Sequence, residues 1–261
     1  MLRTDLLPVR TRRVFELLRD EPALKGFTLV GGSALALQIG HRVSEDLAFN
    51  LFGDFLPLAR LAALLDALES KGLKVESLIT DTERSSFRIN HGGRMEKHIQ
   101  DFTVGGSRIT FHARKAPERP RKQIDYLKRA ERSALGTVQG FDILGLDGLF
   151  AMKTLVLADR AKSRDVFDLM ILMRDFGYSM FDMFRIVGAY AQVNDRDPER
   201  YKSVLTGLSP LDKNDEGFES IGLDVNVQSL YAYFSNKVDD YEIGLARRVA
   251  LQRPRGKTRD H

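Results

Sequence analysis

The chain has 261 residues, 43% of them hydrophobic and 29% charged, which suits a globular protein of one large domain or two modest ones. The absence of cysteine excludes disulfides and thiolate-held metals, and the histidines form no close pair of zinc-binding spacing. The net charge of +4 is mild, no apolar run approaches the roughly 18 residues of a membrane span, and Met1-Leu2-Arg3-Thr4-Asp5 opens no apolar leader, so the expected location is the cytoplasm with no membrane partner.

Helical spacing of Val14, Leu17 and Leu18 predicts a first helix over residues 9–19, stopped by Glu21-Pro22. Phe27-Thr28-Leu29-Val30 reads as a short buried strand running into Gly31-Gly32-Ser33, and residues 34–39 as a helix ended by Gly40. A second strand is expected over 47–52 and an amphipathic helix over 57–70. The pattern then turns to β, with strands predicted over 74–79, 85–90, 98–104 and 108–112; the last two form a hairpin broken at Gly105-Gly106-Ser107. Pro117 and Pro120 interrupt a basic stretch and mark the expected boundary between residues 1–116 and 117–261. Beyond it, apolar residues at helical spacing predict helices near 121–131, 143–160, 163–175, 179–192, 198–207 and 227–250. The fold class is therefore α+β, a mixed sheet with flanking helices followed by a helical bundle. Basic residues crowd 114–132 and 247–261; each cluster suits either a solvated linker or tail, or attraction to a phosphate backbone.

A strand that ends in Gly31-Gly32-Ser33 and feeds a helix leaves backbone N–H groups free at the helix start, and a serine hydroxyl adds a donor. A phosphate would sit well there, although Gly-Gly-Ser is also a common tight turn with an N-capping serine. Asp46 follows at the start of the next strand, with Glu45 facing the other way and Asn50 sharing the face of Asp46 and Ala48. In the second half, Lys153 has only apolar neighbours one turn away, Leu149, Phe150, Val156 and Leu157. Such a lysine either snorkels or points into a cleft. Arg160 returns to its face, and Arg164 and Asp168 form an i, i+4 pair.

The run from Val30 through Gly31-Gly32-Ser33, His41-Arg42-Val43-Ser44 and Glu45-Asp46-Leu47 resembles the AbiEii/AbiGii nucleotidyltransferase toxin family. The stretch Lys153-x-x-Val156-x-x-x-Arg160-x-x-x-Arg164-Asp165-x-x-Asp168-Leu169 is similar to that family's second signature, with Val156 in place of alanine. The resemblance implies a nucleotidyltransferase fold and transfer of a nucleotide from an NTP to an RNA, tRNA included, or to a protein. It also implies a toxin with a cognate antitoxin, in a toxin–antitoxin or abortive-infection system. By the same resemblance, Gly31, Gly32, Ser33, Arg42, Ser44, Lys153 and Arg160 bind the nucleotide, while Asp46, Lys153 and Asp165 are catalytic. Arg164 and Asp168 order the site or pair structurally. Asp46 would hold Mg²⁺, which is best served by two carboxylates two apart on one strand, but Ala48 stands where the family has the second aspartate. Thr110 occupies the place of a third acid, with Asp101 as an alternative. The competing expectation is a catalytically degenerate nucleotide- or partner-binding module, whether Ala48 is native or introduced.

Overall fold

The computed structural model describes residues 1–113, 121–135, 139–215, 217, 218, 223 and 225–252. Among them, six strands form one mixed sheet accompanied by ten α-helices, an α+β fold. The strands are β1 (Phe27–Val30), β2 (Leu47–Leu51), β3 (Val75–Ser77), β4 (Ile99–Val104), β5 (Ser107–Ala113) and β6 (Asp142–Ile143), in the spatial order β3-β4-β5-β2-β1-β6. β2 runs antiparallel to β1 and parallel to β5, and β4 pairs antiparallel with β3 and β5.

The alternation expected of half-buried strands divides the sheet into two faces. Leu47 and Phe49 of β2 pack with Ile109 and Phe111 of β5, all at most 1% exposed. Phe49 stacks on Phe111 with ring centroids 5.6 Å apart and meets Phe141 edge-on at 4.9 Å. The opposite face presents Ala48, Asn50, Thr110 and His112 to a cleft. Two positive-φ glycines, Gly105 at +55° and Gly106 at +82°, make the tight β4–β5 turn.

The helices α1 (Val9–Leu18), α3 (Leu58–Ser70) and α5 (Arg121–Arg129) lie close to their expected ranges. α2 (Gly31–Ile39) begins at the glycine pair and ends at Gly40, whose φ of +70° closes it in the left-handed conformation. Residues 85–90 are not a strand. They belong to α4 (Asp81–His91), because Thr80 and Glu83 form a capping box and helical spacing buries Phe87.

The helix expected over 143–160 is shorter. Asp142 and Ile143 join the sheet beside β1, and Gly145 caps α6 (Leu146–Val156) where a Cβ would come within 2.7 Å of the Glu131 carbonyl. Then follow α7 (Ser163–Asp175), α8 (Met180–Tyr190), α9 (Pro198–Leu205) and α10 (Val227–Gln252). One hydrophobic cluster runs from Leu7 and Val14 through the sheet to Phe234 and Val238, so the helical half and the sheet share a core. The expected boundary at 116–117 lies outside the described residues, as do 114–120 and 253–261 of the two basic clusters. No helix among the described residues is long and apolar enough to cross a membrane.

Candidate active site

A cleft of about 670 Å³ lies between the polar face of the sheet and helices α6 and α7. Gly31 has a φ of +74° at the junction of β1 and α2, a conformation that favours glycine. Gly32 is held open for a different reason. A Cβ there would stand 2.6 Å from Nη2 of Arg42 and 3.1 Å from Oγ of Ser44. Both glycines, Arg42, Ser44 and Asp46 line the cleft on one side; Lys153, Arg160, Arg164 and Asp165 line it on the other.

Ser33 is 1% exposed, and its hydroxyl donates to the Asp46 carbonyl and to Oγ of Ser44 at 2.9 Å. The hydroxyl expected to add a phosphate donor is thus engaged in tying α2 to the entry of β2. What faces the cleft at this turn is backbone and Ser44. Among the described residues the Asp46 carboxylate has no hydrogen-bond or ion-pair partner.

Behind the cleft lies a buried charge network that joins the two halves of the chain. Arg42 grips Asp168 with two parallel bonds, Nε to Oδ1 at 2.6 Å and Nη2 to Oδ2 at 2.9 Å. His41 meets the same carboxylate through Nε2 at 2.7 Å. Lys153 bridges Asp165 and Asp168, each at 2.5 Å, and Arg160 donates to Asp165 at 2.9 Å. The Lys153 side chain is only 7% exposed, which selects the inward-pointing reading over snorkelling.

Burial alone would raise the Asp168 carboxyl, but Lys153 and Arg42 outweigh it and hold the group well below the usual carboxylate range. Asp165 is lowered for the same reason, with Lys153 and Arg160 overcoming burial. Both of its oxygens are engaged, one by Lys153 and the other by Arg160, so the residue expected to be catalytic stands in the structure as an anionic anchor for two cations. Burial pushes His41 below the usual histidine value, and its bond to Asp168 only partly opposes this. Burial also lowers Arg42, but Asp168 more than restores it. The Arg164–Asp168 pair anticipated from helical spacing is superseded, since Asp168 turns inward to Arg42, His41 and Lys153.

The remaining acid on the cleft-facing sheet is Asp101, register partner of Thr110, which in turn pairs with Ala48. Its carboxylate accepts from Oγ1 of Thr110 at 2.9 Å and from Arg108, Nε at 3.0 Å and Nη2 at 2.5 Å. Asn50 is 4% exposed, and its Oδ1 is buried without a hydrogen-bond partner. Sequence reasoning missed His41 and Arg108. A lone histidine and a strand arginine carry no signal until their carboxylate partners are known.

Magnesium requires oxygen ligands, of which a protein usually supplies carboxylates. Here Asp46 is one, but the next position on its face is the Ala48 methyl, 4.0 Å from where a Cβ on Gly31 would sit. Thr110 follows across the sheet, and Asp101 is already neutralised. Among the described residues no group of three or more His, Asp or Glu is arranged to hold a metal ion. The residues present do not fit a cation held by a carboxylate pair.

The family model described as nucleotidyl transferase AbiEii toxin, type IV TA system, matches residues 13–232, which include every cleft residue named above. An uncharacterized protein of Aquifex aeolicus (strain VF5) is 25% identical over 167 residues; the match takes in 62% of this chain and spans 64% of that relative's length. JHP933 from Helicobacter pylori is similar at 17% identity and a TM-score of 0.47, over 97% of this chain and 100% of its own. The nucleotidyltransferase toxin MenT4 from Mycobacterium tuberculosis H37Rv follows at 12% identity and a TM-score of 0.45, over 87% and 86%. With the family match running through most of the chain and across both sides of its cleft, the protein belongs to the AbiEii family of nucleotidyl transferase toxins.

Proposed function

We propose that the chain transfers a nucleotide from an NTP to an acceptor hydroxyl with release of pyrophosphate, as the toxin of a toxin–antitoxin or phage-defence pair. The observation that carries this reading is the gathering on one cleft of the Gly31–Gly32 turn, the unpaired Asp46 carboxylate and the cations Arg42, Lys153 and Arg160. Backbone N–H groups at the start of α2 receive the phosphates, with Arg42 and Lys153 behind them and Arg160, its side chain 45% exposed, in front. Ser33 and Ser44 shape the turn. Asp46 takes the proton of the acceptor hydroxyl as its oxygen attacks the α-phosphorus; the bond from that phosphorus to the bridging oxygen breaks, and pyrophosphate departs among the cations. Asp165 and Asp168 position the cations.

The arginines of the cleft, Arg108, Arg160 and Arg164, favour RNA, including tRNA, over protein as the acceptor. A cognate antitoxin would counter the chain's action, as membership of a toxin–antitoxin family implies. A second reading, a nucleotide-binding module without turnover, is favoured by one observation, the Ala48 methyl beside Gly31. Incorporation of labelled NTPs into total RNA and into protein tests both. Label that appears with this chain and disappears in Asp46→Ala supports transfer. Retained nucleotide binding without label, in this chain and in Ala48→Asp, supports the module. Failure to bind nucleotide overturns both.

A further inference from the structure

We propose that the cleft holds a nucleobase against Asn50, and that the amide of this side chain sets which base is accepted. The inference rests on the nucleotide-binding reading above and extends that site beyond the phosphates.

Asn50, His112 and Ile99 are successive register partners across β2, β5 and β4, and all three line the cleft. They form the row next to Ala48, Thr110 and Asp101, on the side away from the Gly31 turn, because β1 pairs Val30 with Ala48 and Thr28 with Asn50. Two strand residues carry Asn50 ~7 Å past Ala48, a step that the sugar of a nucleotide would bridge between its phosphate and its base.

The lining changes character over that step. At the turn it is backbone, Ser44 and charged groups; beyond it Ala48 and Ile99 stand on the sheet, with Met152 and Val156 of α6 across the cleft. An apolar slot with a small number of polar groups is what a flat heterocycle needs. Asn50 supplies such a polar group. It is 4% exposed, and its Oδ1 is buried without a hydrogen-bond partner, whereas a fold normally pairs its buried polar atoms. Oδ1 accepts, Nδ2 donates, and the torsion that turns the amide is soft, so either atom can be presented to a ligand. A nucleobase carries N–H donors and ring or carbonyl acceptors side by side, the pattern that an asparagine amide reads with two bonds. A fully ionised phosphate has acceptors only and would leave Oδ1 unpaired. The group that fits beside Asn50 is therefore a base.

The test uses the intact chain and a fluorescent non-hydrolysable NTP, displaced by each of the four NTPs, by inorganic tripolyphosphate, and by short single-stranded RNAs of A, C or U. Asn50→Leu keeps the volume of the side chain and removes the amide. It is expected to weaken the best-bound NTP or the best-bound RNA about tenfold, the scale of one or two hydrogen bonds, and to change tripolyphosphate less than about twofold. A loss in the NTP series identifies the base as the substrate's, and a loss in the RNA series as the acceptor's. Asn50→Asp, which replaces the donor by a second acceptor, is expected to reorder the bases in whichever series responds. With no internal partner for Oδ1 to lose, Asn50→Leu is expected to melt no lower than the native chain. Neither series weakened, an equal loss for tripolyphosphate, an order of bases that survives Asn50→Asp, or a melting temperature lower by more than about 4 °C would each overturn the inference and leave the nucleotide reading standing. A native chain that binds neither NTP nor tripolyphosphate would overturn both readings.

Discussion

Replacing Asp168 by asparagine keeps the shape of the side chain and removes its charge. Asp168 is 0% exposed and is the ion-pair partner that Arg42 grips with two bonds, while Lys153 retains Asp165 after the change. Asp168→Asn therefore strands one guanidinium whose side chain is 3% exposed. Breaking a buried ion pair from one side costs about 3–5 kcal/mol, a large part of the 5–15 kcal/mol or so by which a domain is stable. At about 2–4 °C per kcal/mol for a chain of this size, the melting temperature falls by roughly 6–20 °C. Urea unfolding at pH 7 measures the loss directly.

The pH dependence supplies a second check on the same variant. The folded-state pKa of Asp168 is depressed, so its contribution is complete above the unfolded value near 4 and is lost as pH falls through the lower folded value. The gap between native and variant should close on acidification. A loss below about 1 kcal/mol, or a gap that stays constant down to strong acid, would refute the description of this network.

Gly32→Ala should lower nucleotide affinity by at least about tenfold, ~1.4 kcal/mol, because its methyl collides with Arg42, which Asp168 holds in place. Gly188→Ala, with no neighbouring atom within 4 Å, should leave the same fluorescence titration unchanged. His41 has a depressed folded-state pKa, so its contribution to stability is complete above about pH 6.5 and declines below it; in His41→Gln, urea midpoints measured across that range should lose this part of the slope. Thr80→Ala removes the capping box of α4 at a cost of about 1 kcal/mol, which hydrogen exchange should register as faster exchange of the first amides of residues 81–91.

The course of the fold was legible where burial imposes a period. The four buried residues of β1, the glycine turn between β4 and β5, and the helices closed by Gly40 and opened by Pro198 all announce themselves locally. Residues 85–90 misled because Phe87-Arg88-Ile89-Asn90 alternates over a short span, although the Thr80–Glu83 capping box was readable three residues into the helix. β6 has two residues, too few to carry any period, and only its pairing with β1 creates it. Of the site, the turn, Asp46 and Lys153 could be named from sequence, but their partnerships could not. That the Ser33 hydroxyl is tied inward, that Asp168 faces Arg42 rather than Arg164, and that Arg108 neutralises Asp101 are all facts of register and long-range packing.

The pairing of Arg42 with Asp168 spans 126 residues of chain, and that separation has a meaning in time. At roughly 5–20 residues per second, a ribosome needs roughly 6–25 s to synthesise the carboxylate after the arginine. Throughout that interval the guanidinium behind the turn at Gly32 lacks this carboxylate. A chain that stops before α7 therefore lacks both carboxylates of the network, and the cleft is complete only once most of the chain has been made.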